Sequence, residues 1–287
     1  MAPPATDAGR VKAQLARTRA TLATAGIPLP WLDAEILVAH VLKSSRERLH
    51  SHPDRQLTIG QRARLRRLTS RRAARVPVPY LVGEREFYGY MFRVTPAVLI
   101  PRPSSELLVE LAIDWLKAHP DARRVIDLGT GSGAVAISVA KAVATVRIEA
   151  RDVSARALRV AAENVARYRV RRRITIVKAD LLRGAAPADV ILANLPYIPD
   201  ALRRVRPKEL DYEPALALDG GKDGLDLIRI ALAQAPAAVK PGGLVLFECD
   251  PAQTRRIVRL AQGQWPAAEV TVHKDLAGQD RVVRIQT

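Results

Sequence analysis

Val125-Ile-Asp-Leu-Gly-Thr-Gly-Ser-Gly-Ala134 joins a short apolar run to a loop with glycine at every second position, and a helical pattern follows it. Glycines at 129, 131 and 133 between a strand and a helix let a ligand come close to the backbone. Asp152 lies 19 residues beyond Gly133, at the end of the next strand, where a carboxylate can accept both hydroxyl hydrogens of an adenosine ribose. Nicotinamide and S-adenosylmethionine sites share that need, so the loop indicates adenosine without choosing between them. The third strand ends at Asp180, whose carboxylate can accept from an adenine amino group. A turn or capping role is its structural alternative.

Outward from this loop, strands and helices alternate. Strands are expected at 125–128, 146–150, 174–178, 190–193 and 243–248, with helices at 133–144, 154–167 and 225–239 between them. That order implies a parallel sheet covered by helices on both faces. The tail, Glu269 to His273 and Arg281 to Ile285 around a Gly-containing loop, reads as two further strands. Upstream, Leu15, Leu22, Leu32, Ile36, Leu37, Val41, Ile59, Leu65 and Leu68 recur at three- and four-residue spacings, which predicts a small helical bundle with Thr58 as an N-cap. Val76-Pro-Val-Pro-Tyr80 is expected to be an extended linker, because each residue before proline is pushed from helical geometry. Phe87 to Val94 reads as strand, turn and strand around Gly89, leading to Ile100-Pro-Arg-Pro103 and a helix from about Ser105 to Ala118.

Composition narrows the function classes. The chain has 287 residues, 48% of them hydrophobic and 26% charged, as in ordinary globular proteins. One cysteine, Cys249, permits no intrachain disulfide and no Cys-rich metal site, and the five histidines are dispersed, so no metal is expected. A soluble, cytoplasmic protein is expected: the N-terminus has no signal-peptide pattern, and Lys141 and Arg147 interrupt the most apolar stretch. The net charge is +17, and residues 1–80 hold 15 Lys/Arg against 5 Asp/Glu. RNA or a ribosomal particle is therefore a plausible neighbour. An arginine bias of the genome explains the same charge without binding.

Asn194-Leu-Pro-Tyr197 closes the strand beginning at Asp189. An Asn carboxamide oxygen and the following backbone carbonyl can accept both hydrogens of a planar –NH2 group, and an aromatic ring can confine its plane. This is chemistry for a nitrogen nucleophile. As a purely structural motif it is a strand-end turn followed by a half-buried aromatic.

Nearly the whole chain resembles the HemK/PrmC family of peptide-chain release factor glutamine methyltransferases, class I enzymes that use S-adenosyl-L-methionine. The resemblance is carried by Gly83-Glu-Arg-Glu-Phe87, Leu99-Ile-Pro-Arg-Pro103, Asp127 to Gly133, Asn194 to Tyr197, Glu213 to Gly221 and Lys274-Asp-Leu-Ala-Gly278. It implies an α/β fold: a seven-stranded Rossmann-like domain with an antiparallel last strand, a helical N-terminal domain and a connecting β-hairpin. The corresponding boundaries are 1–80 for a substrate-recognition bundle, 81–103 for the hairpin linker and 104–287 for the methyltransferase domain. By the same resemblance, Gly129, Thr130, Gly131, Ser132 and Gly133 would hold the methionine moiety, Asp152 the ribose, and Asp180 and Leu181 the adenine. Asn194, Leu195, Pro196 and Tyr197 would form the catalytic wall, with Asn194 between methyl donor and acceptor. The acceptor would be the glutamine of a Gly-Gly-Gln loop in class I release factors.

Two positions depart from the family pattern. Leu195 replaces the first proline of Asn-Pro-Pro-Tyr, although any residue supplies the needed carbonyl. Ser104-Ser105 stands where Asp-Thr is common, which bears on the substrate more than on the chemistry. A glutamine methyltransferase acting on a ribosomal protein, a nucleic-acid amino methyltransferase working on a flipped base and a non-catalytic RNA-binding protein remain open at this point. An NAD oxidoreductase fits less well, since no hydride-transfer constellation follows the glycine loop.

Overall fold

A computed structural model describes residues 9–202 and 205–287. The chain forms two compact units. The first runs to Gly83 and also takes in Lys208–Tyr212; the second holds Glu84–Pro207 and Glu213–Thr287.

The first unit is helical: α1 (Val11–Thr24), α2 (Pro30–Leu42), α3 (Arg46–Ser51), α4 (Ile59–Ala73) and α5 (Val78–Val82). Its core gathers Val11, Leu37, Val38, Val41, Leu49, Leu57, Leu65 and Leu68. Thr58 caps α4 through a reciprocal pair: its hydroxyl accepts from Gln61 N–H at 3.1 Å, and the Gln61 side chain accepts from Thr58 N–H at 2.9 Å. Arg72 is buried on α4, where Nε meets Asp33 Oδ2 at 2.7 Å and Nη1 meets Glu209 Oε1 at 3.1 Å. The expected extended linker over 76–80 is in part the helical turn α5. Pro79 sits at its second position, where a missing N–H costs nothing.

The second unit opens with a two-stranded hairpin, β1 (Glu84–Phe87) and β2 (Tyr90–Arg93), turned at Tyr88 and Gly89 with φ of 51° and 74°. Two successive positive φ values match the right-handed twist of a tight hairpin. A 3₁₀ turn over Pro103–Ser105 leads into α6 (Glu106–Ala118). There follow β3 (Arg124–Leu128), α7 (Ala134–Ala142), β4 (Arg147–Asp152), α8 (Ala155–Arg167), β5 (Ile174–Lys178), β6 (Ala188–Ala193), α9 (Asp226–Ala238), β7 (Val239–Glu248), α10 (Thr254–Gln264), β8 (Glu269–Lys274) and β9 (Asp280–Gln286). The sequence reading assigns no element between β7 and β8. α10 buries only Thr254, Ile257 and Ala261, too thin an apolar stripe to announce itself.

The sheet has seven strands in the order β5-β4-β3-β6-β7-β9-β8. β3 to β7 are parallel, and β9 is antiparallel to both β7 and β8. Side chains alternate between two cores. Val125, Val190, Leu192, Leu244 and Leu246 pack with Leu108, Val109 and Ala112 of α6, whereas Ile126, Leu128, Ile191, Val245 and Phe247 pack with Ile228 and Ala231 of α9 and Ile257 of α10. The hairpin joins the first core through Phe87 and Phe92, with Phe92 against Tyr168 at 5.4 Å between ring centroids.

Candidate active site

Parallel register aligns the strand ends. Leu128 pairs with Ala193 and with Arg151, and Asp152 pairs with Lys178, so Gly129, Asn194, Asp152 and Asp180 leave the sheet along one edge. Chain order reverses between β3 and β6, and in open α/β sheets such a switch point is where ligands bind.

Gly129, Gly131 and Gly133 have φ of 66°, 56° and 79°, conformations that side-chain-bearing residues rarely adopt. At Gly129 a Cβ would lie 3.3 Å from Leu195 Cδ2 and 3.5 Å from the Asn194 carbonyl oxygen, so the loop and the tetrapeptide touch here. Gly131 N–H donates to Asp152 Oδ2 at 3.0 Å, and Ser154 N–H donates to Oδ1 at 2.8 Å. Burial raises the Asp152 pKa while these N–H groups hold it down. A carboxylate has about four acceptor positions, more than the backbone N–H groups fill. Thr130 Oγ1 donates to Asp127 Oδ2 at 2.6 Å, and burial pushes the Asp127 carboxyl up to about 7. Asn164, fully buried on α8, donates to the Ser132 carbonyl at 2.9 Å and the Arg93 carbonyl at 3.0 Å, tying the hairpin to the glycine loop.

Asp180 is exposed, and its carbonyl accepts from Arg183 N–H. Leu181 has φ of 47°, an unusual value for a leucine. Its carbonyl accepts from Arg151 Nε at 2.9 Å, while Arg151 Nη2 donates to the Arg183 carbonyl at 2.6 Å. The buried arginine thus shapes the loop after β5. Glu149 lies within β4 and pairs with Arg151 at 2.8 Å and Arg124 at 3.0 Å.

Asn194 is half-buried, and its Nδ2 donates to Ser105 Oγ at 2.8 Å. Among the described residues no donor reaches Asn194 Oδ1 or the Leu195 carbonyl. The Leu195 side chain is buried in the α9-side core. The leucine side chain thus fills the space over Gly129. Pro196 and Tyr197 are half-buried, and burial raises the Tyr197 phenol pKa.

Several residues around this wall carry no role in the sequence reading. Gln253 Nε2 donates to the Tyr197 carbonyl at 2.9 Å. Gly220 N–H donates to the Ile198 carbonyl at 3.0 Å, and Gly220 lies so near Tyr197 that a Cβ there would fall 2.8 Å from its Cα. Glu213 is buried and accepts from Ile100 N–H at 3.0 Å and from the Arg102 guanidinium. The motifs holding Arg102, Glu213 and Gly220 stand out in the sequence, but their mutual contacts do not. Glu248, the residue after Phe247 in β7, is 1% exposed and accepts from Ser104 Oγ at 3.2 Å. Cys249 is buried, with its thiol pushed up to about 12 by burial, which suits an apolar filler. Among the described residues no group of His, Cys, Asp or Glu could hold a metal ion, and no helix is long and apolar enough to cross a membrane.

Residues 13–83 match the PrmC N-terminal domain family, and residues 103–205 match the methyltransferase small domain family. A release factor glutamine methyltransferase of Moorella thermoacetica is 38% identical over 263 residues, covering 91% of this chain and 92% of the relative. One from Deinococcus radiodurans is 37% identical over 272 residues, covering 94% of this chain and 96% of the relative. Among solved structures, a ribosomal protein L11 methylase from Lactobacillus delbrueckii subsp. bulgaricus aligns with 68% of this chain and 84% of its own at a TM-score of 0.50. Its 21% identity makes this a likeness of fold.

Proposed function

Since the chain belongs to the release factor glutamine methyltransferase family, we propose that it methylates the side-chain amide nitrogen of the glutamine in the Gly-Gly-Gln motif of class I peptide chain release factors. The observation that carries the chemistry is the Asn194 carboxamide, pinned through Nδ2 by Ser105 with Oδ1 uncommitted, on a residue whose backbone carbonyl lies beside Gly129.

The strand-end residues fit S-adenosyl-L-methionine as the donor. Gly129 to Gly133 form a cradle that a Cβ at Gly129 would crowd, Asp152 keeps acceptor capacity for a ribose, and Asp180 with Leu181 closes the adenine side. When bound, this donor supplies an electrophilic methyl group on a sulfonium. An amide nitrogen is a poor nucleophile because its lone pair is delocalised into the carbonyl. Asn194 Oδ1 and the Leu195 carbonyl accept its two hydrogens, aim the lone pair and favour pyramidalisation as attack begins. Pro196 fixes the backbone after Leu195, and Tyr197 confines the amide plane. No base is required before transfer, because the nitrogen becomes acidic once alkylated.

In this reading the helical unit recognises the release factor, and the enzyme works in the cytoplasm. Exposed Arg66, Arg67 and Arg71 on α4 would favour a polyanionic neighbour such as the ribosome. Purified protein given labelled donor with release factor or with ribosomal RNA tests the acceptor. Label is expected in the release factor, and label in RNA would contradict the proposal. For the clamp, Asn194→Ala is expected to keep donor binding by calorimetry while methyl transfer collapses; unchanged turnover refutes the assignment.

A further inference from the structure

We propose that Gln253 is a positioning residue for methyl transfer, which sets the reacting wall through the backbone carbonyl of Tyr197. This rests on the assignment of Asn194–Tyr197 as the amide clamp.

The wall is a four-residue span between two fixed points. Ala193 ends the β6 ladder against Phe247, and Ile198 is tied to a later loop by donating to the Leu218 carbonyl and accepting from Gly220 N–H, both at 3.0 Å. Between these points the backbone belongs to no ladder, so its direction depends on what its carbonyls meet. The Leu195 carbonyl has to stay open for the substrate. The Tyr197 carbonyl is the one that can be held, and Gln253 Nε2 holds it at 2.9 Å.

Gln253 is itself fixed. It ends a 3₁₀ turn, Pro251–Gln253, between β7 and α10, and is 4% exposed. Its Oε1 accepts from Asp250 N–H at 3.2 Å, and the Asp250 side chain caps the same turn. That leaves the –NH2 end facing three carbonyls: Tyr197 at 2.9 Å, with Asp223 and Gly224 each at 3.3 Å. A flipped amide would set an oxygen against three oxygens and an –NH2 against the Asp250 N–H, so the direction of donation is determined. The approach is close enough to require glycine, since a Cβ on Gly224 would collide with Gln253 Nε2 and with the Tyr197 carbonyl oxygen. One side-chain amide therefore joins the wall, the 219–224 loop and the turn before α10. Without its hydrogens three carbonyls face one another with no donor between them, which favours their moving apart. Pro196 and Tyr197 then turn, and the Leu195 carbonyl and the Tyr197 ring turn with them. Gly129–Gly133 and Asp152 make none of these bonds, so donor binding is left intact.

Steady-state methylation of release factor by the full chain tests this, with kcat referred to donor-binding sites counted by calorimetry so that unfolded protein does not enter the rate. Gln253→Met keeps the length of the side chain and removes the donor. It is expected to lower kcat on the order of 10- to 100-fold, the scale of a misplaced reacting group. KM for release factor and donor Kd should stay within about two-fold, the pattern of an interaction needed in the transition state. Arg256→Ala is the control: Arg256 holds the same loop through the Asp223 carboxylate, which Arg229 also holds, rather than through Tyr197, and kcat should stay within about two-fold of wild type. Wild-type kcat in Gln253→Met, a loss carried by KM instead of kcat, or an equal loss in Arg256→Ala would each overturn the proposal. If Gln253→Met does not fold, Gln253→Asn decides, because it keeps the amide but withdraws it by one carbon; the same fall in kcat is expected, and wild-type kcat overturns the proposal. Failure of both to fold would make Gln253 a folding residue and overturn it as well. Asn194→Ala separates the two levels: its retained turnover refutes the clamp itself, whereas its collapse beside a wild-type rate for Gln253→Met refutes only the positioning role.

Discussion

Replacing Gly220 by alanine should disable the enzyme from outside the reacting groups. Gly220 is not in the left-handed region, so the substitution acts through space rather than backbone strain. Its Cβ would fall 2.7 Å from Gly224 Cα, 2.8 Å from Tyr197 Cα and 2.9 Å from the Gly224 carbonyl carbon. Carbon atoms rest at about 3.5–4.0 Å, so backbone must yield by roughly 0.7–1 Å. Gly224 has little room to move, because Gln253 Nε2 holds its carbonyl at 3.3 Å and the Tyr197 carbonyl at 2.9 Å. The displacement passes into Asn194–Tyr197. Overpacking of this kind costs about 1–3 kcal/mol of stability, and a ~1 Å misplacement at a reacting centre costs on the order of 10²-fold in rate. Methyl incorporation into release factor at saturating substrates, with a thermal melt on the same sample, measures both. Gly263→Ala is the control: nothing lies within 4 Å of its Cβ, and in α10 it should be neutral or stabilise by about 0.5–1 kcal/mol. Wild-type kcat and Tm in Gly220→Ala would refute the view that backbone packing sets the wall.

Arg72→Ala would leave Asp33 buried beside no cation and should cost about 3–5 kcal/mol, read by urea unfolding followed by helical circular dichroism. A loss below about 1 kcal/mol would mean the pair behaves as a surface salt bridge. Asp127 gives a pH signature. Its pKa, raised by burial to about 7, means the folded state holds a proton that the unfolded state has released. Stability should therefore fall as pH rises from about 4 to about 7, at up to ~1.4 kcal/mol per unit, and stay flat above. In Asp127→Asn that slope should vanish; parallel melting curves of wild type and variant across this window would contradict it.

The sheet was legible because its strands are short apolar runs separated by glycine and helical periodicity, and the strand at 174–178 is placed by sequence residue for residue. The turn at Tyr88-Gly89 and the Thr58 cap were legible for the same reason: local chemistry specifies them. Val78–Val82 misled because proline is permissive in a first helical turn, and α10 was invisible because it buries so little. In the candidate site, residues with their own chemistry, such as Asp152 and Asn194, announced themselves. Glu248 did not, because a glutamate ending a strand looks like a surface charge until pairing with β6 and burial by Ser104 show otherwise. Gln253 is similar: it closes a capping box with Asp250, so its reach to Tyr197 depends on a fold that brings α10 under the wall.

Mass analysis of the release factor's Gly-Gly-Gln peptide, after incubation with S-adenosyl-L-methionine and either wild type or Asn194→Ala, tests the central claim most directly. A one-methyl increment on the glutamine with wild type, and none with a variant that still binds donor, is the predicted result. An unmodified glutamine with wild type, or equal methylation by both proteins, would contradict it.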